Sequence, residues 1–191
     1  MTVSVEFSEA KTASSDRSVR AALPTDAAAI SRIHLNAMRA LAEEAGATDA
    51  GLQMPDEAVL TARWMRTLSE PRPQGCHTLV AVHGHVVVGF LSCAPGEPIT
   101  GGAASHVPAG TDILNLWVDG PFRRCGHASR LLAALVDVAQ PAALRFFAPA
   151  SSDEHTRFLR SAGFGPAGIR RTLRLGATHT LAEHLWWALL D

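Results

Sequence analysis

Asp112-Ile113-Leu114-Asn115-Leu116-Trp117-Val118, then Asp119-Gly120-Pro121-Phe122-Arg123-Arg124-Cys125-Gly126-His127, then Ala128-Ser129-Arg130-Leu131-Leu132-Ala133-Ala134-Leu135-Val136-Asp137-Val138-Ala139-Gln140 is the stretch that decides the fold. Ile113, Asn115 and Trp117 alternate with Leu114, Leu116 and Val118, the period of two expected of a strand. Ala128, Leu131, Leu132, Leu135, Val136 and Ala139 recur at i, i+3, i+4, i+7, i+8 and i+11. That is the stripe of a helix burying one face, and Pro141 follows its end. A strand that enters a helix N-terminus through a glycine turn, here Gly126, is an anion site. The first helical amides have no intrahelical acceptor, and the helix dipole is positive there. Arg123 and Arg124 add charge beside it, so a phosphate or pyrophosphate is the expected guest. Neither GxxxxGK[ST] nor GxGxxG occurs, which argues against a Walker loop and a dinucleotide fold.

The flanking chain reads as alternating elements. Residues 18–22 suit a short strand, and Pro24-Thr25-Asp26 starts a helix carrying Ile30, Ile33, Ala37, Met38 and Leu41 on one face until Gly46. Pro55-Asp56-Glu57 starts a second, with Leu60, Trp64 and Leu68 stacked and Pro71 and Pro73 closing it. Residues 78–82 and 86–92 are valine-rich strands joined at His83-Gly84-His85 as a hairpin. Residues 95–108, rich in Gly, Pro and Ala, read as a mobile surface loop. Downstream, 144–148 is a strand. Ser151 with Glu154 three residues on has the form of a capping box, and Gly163 ends the helix it opens. Residues 169–175 and 181–189 form two terminal strands, and Trp186-Trp187 implies burial of both faces of the last. Residues 1–17 are polar and aperiodic and read as a disordered tail, leaving 18–191 as one domain.

Composition narrows the function classes. The 191 residues suffice for one full core, 47% of them are apolar, and the formal charge is −1. That balance gives no electrostatic reason for nucleic acid or an anionic membrane as partner. No apolar run is long enough to span a bilayer, and residues 1–18 lack the pattern of a secretory signal. Cys76, Cys93 and Cys125 are odd in number and widely spaced, which suits free thiols and a cytoplasmic setting. Nine histidines form no HExxH and no zinc-type cluster, so no metal is expected; His83-Gly84-His85 reads as an exposed hairpin turn.

Arg123-x-x-Gly126-x-Ala128 resembles the R/Q-x-x-G-x-G/A loop of the GNAT acetyltransferases. Asn115-Leu116-Trp117-Val118 resembles that family's strand before the loop, and residues 152–164, with Gly163-Phe164 intact, its later N-x-x-A-x-x-x-Y-x-x-x-G-F segment. The likeness covers about residues 18–190, and its strength lies in the order of elements rather than in the short motif. The strand-loop-helix wording also looks like the ribosomal-protein N-terminal acetyltransferases, without assigning a substrate. The resemblance implies an α/β (α+β) fold, a central mixed, mostly antiparallel sheet of six to seven strands flanked by about four helices. It implies an N-acyltransferase using acetyl-coenzyme A as acyl donor, with a small-molecule or peptide amine as acceptor. Direct transfer in a ternary complex is the implied route, and a non-catalytic acyl-coenzyme-A-binding protein is the alternative. Pyrophosphate would lie on the backbone of Arg123, Arg124, Cys125, Gly126, His127, Ala128 and Ser129. Leu116, Trp117 and Val118 would meet the pantetheine arm through their main chain. A backbone N–H there would stabilise the developing oxyanion by about 3–4 kcal/mol.

Three departures bear on chemistry. Gly120 stands where the loop usually has proline, Ser152 stands where an asparagine often contacts the cofactor, and Leu159 stands where a tyrosine often protonates the departing thiolate. The chain has no tyrosine at all. A thiol pKa near 8.5 lets thiolate leave tolerably unaided, so water, Ser152 or His155 suffices as acid. His155 shares a helix face with Ser152 and Leu159, and is equally read as a solvated first-turn histidine. The base matters more, since only about one in 2,500 lysine-type amines is neutral at pH 7. Asp112, Asn115 and Asp119 are candidates for that proton, Asp112 first, with Asp119 assigned mainly to the loop. Specificity is expected in residues 36–58 and 95–110, and a monomer and a homodimer are both open.

Overall fold

The computed structural model describes residues 16–47, 54–100, 106–176 and 179–190. The expected tail lies outside these but for Asp16 and Arg17, and Arg17 already opens the first strand. Strands β1 (Arg17–Ala21), β2 (His77–His83), β3 (Val86–Gly96), β6 (Gly110–Val118), β7 (Ala143–Pro149), β8 (Gly165–Leu175) and β9 (His179–Leu189) form one sheet in the order β1-β2-β3-β6-β7-β9-β8. Every pairing is antiparallel except β6–β7. Two short strands, β4 (Ile99–Thr100) and β5 (His106–Val107), form a separate ribbon. Helices α1 (Ala27–Glu44), α2 (Glu57–Ser69), α3 (His127–Ala139) and α4 (Asp153–Ser161) complete the α/β architecture anticipated above.

Helices cover both faces of the sheet. On one, Ile30 and Ile33 of α1 pack with Val80 and Phe90, joined by Trp64 and Leu68 of α2 and by Trp117 of β6. On the other, Leu131, Leu132 and Leu135 of α3 are fully buried against Leu79, Leu91, Ile113 and Leu116, with Leu159 of α4. Each such leucine contributes about 1.5–3 kcal/mol of burial, which is what the stripe read from the sequence is for. Asp56 caps α2 by accepting from the Ala58 and Val59 amides, and Gly46 follows α1 at φ +69°. Trp186 packs in the α3 core while Trp187 packs against the opposite cluster, so β9 is covered on both faces.

Three local readings change. The loop expected over 95–108 holds the end of β3 and the β4–β5 ribbon, and Val107 is buried against Ala167 and Leu185; residues 101–105 lie outside the described residues. Its Gly and Pro content masked one buried valine. The cap of α4 is Ser152, whose hydroxyl accepts from the His155 amide. Ser151 instead donates to the Glu44 carboxylate at 2.7 Å. Finally, β6 does not alternate strictly. Ser92 pairs with Asn115 and Cys93 with Ile113, which leaves Leu114 as a bulge. The extra residue shifts the phase, so Ile113 and Leu116 share the α3 face while Trp117 faces α1.

Candidate functional site

The bulge has a second consequence. β6 and β7 pair in parallel only at Thr111↔Leu144, Asp112↔Arg145 and Ile113↔Phe146. Beyond Ile113, β6 continues to Val118 held by β3 alone among the described residues. A bulge bends its strand, and here the bend falls where the parallel ladder stops. The last paired rungs are pinned by Arg145, whose side chain is 1% exposed. Its Nε and Nη2 donate to the two Asp112 carboxylate oxygens at 2.6 and 2.9 Å, and Nη1 donates to the carbonyls of Glu97 and Pro108. A Cβ at Gly96 would collide with this guanidinium, so the pair requires glycine there. Arg145 escaped the sequence reading, although an arginine inside Leu144-Arg145-Phe146-Phe147 signals a partner, since a buried charge needs one.

Past that pin the two strands part around a cavity of about 510 Å³, closed by the loop after β6, the N-terminus of α3 and one side of α4. Of the residues singled out in the sequence, Leu116, Trp117, Val118, Arg123, Arg124, Gly126, His127, Ala128, Ser129 and His155 line it. Phe122, Phe146, Glu154, Arg157, Phe158 and Ser161 line it too and were not foreseen. Asp112, Asn115, Cys125 and Ser152 do not line it.

The loop is held from outside and left open inside. A 3₁₀ turn over Gly120–Phe122 follows β6. Asp119 pairs with Arg32 of α1, and its amide donates to Val88 at 2.8 Å. Arg123 donates to the Val118 carbonyl at 3.3 Å and to Glu154 at 3.4 Å, so it serves the loop's architecture. The Cys125 carbonyl accepts from Arg17 at 3.1 Å and from Arg130 at 3.2 Å. Gly126 is the N-cap of α3 at φ +79°, and no side chain caps the helix. Its first amides are therefore without a side-chain acceptor. Arg124, at φ +62°, is exposed at the cavity and has no protein partner among the described residues. Left-handed backbone at a non-glycine residue costs on the order of 1–3 kcal/mol, and here it sits beside an uncapped helix end.

His127 turns inward, 1% exposed, with Nε2 3.2 Å from His83 Nδ1 and its own Nδ1 unpaired among the described residues. Burial first, then His83, Arg130 and Arg17, lowers its pKa and favours the neutral ring. It thus brings backbone rather than charge to the loop. His83 is part of this cluster, packing on Phe122 and His127, rather than a free hairpin tip.

His155 stands where β6 and β7 part. Its ring lies 5.9 Å from Trp117 and 6.4 Å from Phe146 between centroids, and Nδ1 is 2.8 Å from Ser152 Oγ. Burial pulls its pKa below the ordinary value, against the opposing pull of Glu44 and Glu154. It is therefore not a solvated first-turn histidine. Leu159, in contrast, is fully buried in the α3 core and not at the cavity.

A second cavity, of about 450 Å³, opens on the α2 side of β6 and includes Asn115. Asn115 is engaged at both ends: Nδ2 donates to Ser92 Oγ at 2.8 Å and Oδ1 accepts from Trp117 Nε1 at 3.3 Å. Trp117 lines the first cavity, so this short chain of bonds is the wall between the two. None of its lining residues falls in 36–58 or 95–110, where specificity was expected.

The sequence model of the Acetyltransferase (GNAT) family matches residues 37–164. The chain belongs to that family. No curated protein sequence matches it. In solved structures the GNAT fold recurs at low identity. yncA of Salmonella typhimurium, in a structure with its cofactor acetyl-CoA, is 18% identical with TM-score 0.62, over 93% of this chain and 95% of that one. A ribosomal-protein-alanine N-acetyltransferase from Brucella melitensis is 21% identical with TM-score 0.63, over 91% and 99%. A GNAT-family acetyltransferase from Streptococcus pneumoniae is 15% identical with TM-score 0.59, over 92% and 100%. The GNAT fold therefore extends over nearly the whole chain. Among the described residues no helix is long and apolar enough to cross a membrane.

Proposed function

We propose that this GNAT protein is an N-acyltransferase that moves an acetyl group from acetyl-coenzyme A to a primary amine, with donor and acceptor held together. The observation that carries the reading is the uncapped α3 N-terminus behind Gly126, opening with Arg124 onto a cavity that runs to the gap between β6 and β7. The residues present fit the coenzyme. Backbone amides of 124–129 would hold its pyrophosphate, with Arg124 as counter-charge and Arg157 also at the wall. The unpaired edge of Leu116, Trp117 and Val118 would take the pantetheine arm as a further strand would be taken. Acetyl-coenzyme A supplies an activated thioester; the rest falls to the chain.

A proton must leave the amine, and His155 is the group we assign to it. Its lowered pKa keeps the ring neutral at pH 7, so it rests as a proton acceptor and not as an acid. With Nδ1–H donating to Ser152 Oγ, Nε2 has its lone pair free. Once Nε2 is protonated, the same Ser152 oxygen still accepts from Nδ1, and the ring can return the proton to the sulfur as it departs. Ser152 thus orients the imidazole and favours its cationic form. Asn115 is held between Ser92 and Trp117 and can orient an amine or a water without titrating. Asp112 receives no proton-transfer step here, because both carboxylate oxygens are bound by Arg145 and neither cavity includes it.

The buried Leu159 in place of a tyrosine favours the rival reading of a coenzyme-binding protein without catalysis. Titration calorimetry with acetyl-coenzyme A, followed by thiol release over a panel of primary amines, separates the two. Binding with amine-dependent release supports the transferase. Binding with no release from any amine supports the rival, and absence of binding would sink both.

A further inference from the structure

We infer that the second cavity selects acceptors by charge: its ligand is a primary amine that carries a carboxylate at the far end of an apolar body. This rests on the transferase reading and adds the class of acceptor to it. The two linings share no residue, but Asn115 of this cavity accepts from Trp117 of the first, so an amine reaching the gap between β6 and β7 along that contact passes Asn115. Its walls are apolar in the middle. Trp64 and Leu68 of α2 face it, and the Leu114 bulge swings a side chain that is 59% exposed to its rim. An exposed leucine projected by a bulge beside an open cavity is a ready contact for an apolar ligand body.

The cavity's other end carries charge. Arg63 of α2 and Arg72 of the segment before β2 both line it, and neither guanidinium has a hydrogen-bond or ion-pair partner among the described residues. Glu70 is the lone acidic residue of the lining and pairs with neither arginine. Both arginines are exposed, and like several others they stand outside the described salt bridges, which use Arg20, Arg32, Arg123, Arg145 and Arg171; what sets these two apart is that they share one cavity lining. Two cations left unpaired in one concavity, with a net excess of positive charge, suit an anion. Arginine in particular suits a carboxylate, which its planar fork can bind at two points. His77 adds no competing charge. Burial and then Arg72 lower its pKa and favour the neutral ring. His34 is likewise held neutral, by burial and by accepting the Trp64 indole N–H at Nδ1.

Register gives the ligand a scale. Asn115 pairs with Ser92 and Ser92 with Thr78, so Asn115 stands two strands from the β2 end near Arg72. Two strand spacings make about 10 Å, the reach of two to three extended residues at roughly 3.4 Å each. A free amino acid is short for that span. A di- or tripeptide, or an amine on a chain of similar length with a terminal carboxylate, fits it.

The test uses matched probes on the whole protein: leucine, dileucine and trileucine, each as free acid and as C-terminal carboxamide. Calorimetry on the protein without coenzyme is one readout, and KM from thiol release is the other. Free acids of dileucine and trileucine are expected to bind at least tenfold tighter than their amides, with the single amino acid showing the smallest difference. Arg72→Gln and Arg63→Gln should each shrink that ratio severalfold, and together abolish it, with acetyl-coenzyme A affinity unchanged. Equal binding of acids and amides, or a ratio untouched in the double variant, overturns the inference. Acid preference in calorimetry with no acetyl-coenzyme A binding would overturn the transferase reading while leaving the anion site standing.

Discussion

The two cavities flank the same strand and were built in different ways. The first takes most of its wall from one continuous segment, 116–129, and uses that segment's backbone: helix amides, a left-handed glycine, a strand edge. The second draws on α1, α2, the segment before β2, β2, β3 and β6, and depends on side chains. A site made of backbone repeats wherever the same local conformation is encoded, so a short run of sequence can announce it. A site made of side chains from many segments exists only once the sheet has assembled. If that contrast is right, the first cavity should fail through conformation and the second through charge.

The largest effect should come from Gly126→Asp. The aspartate would put a negative side chain where a diphosphate is proposed to lie, in a conformation of φ +79° that L-residues resist. Acetyl-coenzyme A affinity should fall at least a thousandfold, about 4 kcal/mol. Folding stability should fall by only about 1–2 kcal/mol. Gly126→Asn separates the two causes, since asparagine tolerates the left-handed region without charge. A retained affinity in the aspartate variant would break the backbone account of this cavity.

The contrast also explains what the sequence could disclose. The stripe from Ala128 to Ala139, the glycine turn and the hairpin are local, and each appears where local physics puts it. Asp112 is the counter-example. As a residue starting a strand it looked free to move a proton, and only the parallel β6–β7 rung brings Arg145, 33 positions away, onto it. The Leu114 bulge was illegible for a similar reason. It is defined by register with β3, and a strict alternation is the natural reading of Asp112-Ile113-Leu114-Asn115 without that partner. His155 was legible as a residue and not as an environment, because its low pKa comes from burial between two strands and a helix.

Asp112→Asn sharpens this point. Arg145 would keep its charge in a site where it is 1% exposed and lose its counter-ion. Breaking a buried pair this way costs about 3–5 kcal/mol; Asp112 is itself partly exposed, which argues for the lower figure. Denaturant unfolding should show a loss of about 3 kcal/mol, and the shape of the pH profile of kcat/KM should not change. A flattened acidic limb with unchanged stability would return the proton-transfer role to Asp112.

The smallest effects belong to the pair at the junction of the cavities, and they should be unequal. His155→Gln keeps a polar group of similar reach and removes the titrating one. General-base loss is worth a hundredfold or more where the base is essential. Here a water can still take the proton, so a loss of ten- to a hundredfold in kcat is expected, about 1.4–2.7 kcal/mol. The wild-type kcat/KM should rise with pH along a limb centred below the ordinary histidine value, because burial favours the neutral ring and the neutral ring is the active form. The limb should vanish in the glutamine variant. Ser152→Ala leaves the base in place and removes only its orienting partner, 2.8 Å from Nδ1, along with a long capping contact of 3.5 Å. Its cost should stay under tenfold in kcat. Its signature is a further downward move of the limb, since the imidazolium loses the oxygen that accepts its Nδ1 proton. An upward move would mean that Ser152 donates to Nδ1 and stabilises the neutral ring, which would reverse the proposed tautomer. A thousandfold loss in the alanine variant alone would make Ser152, not His155, the group that handles the proton.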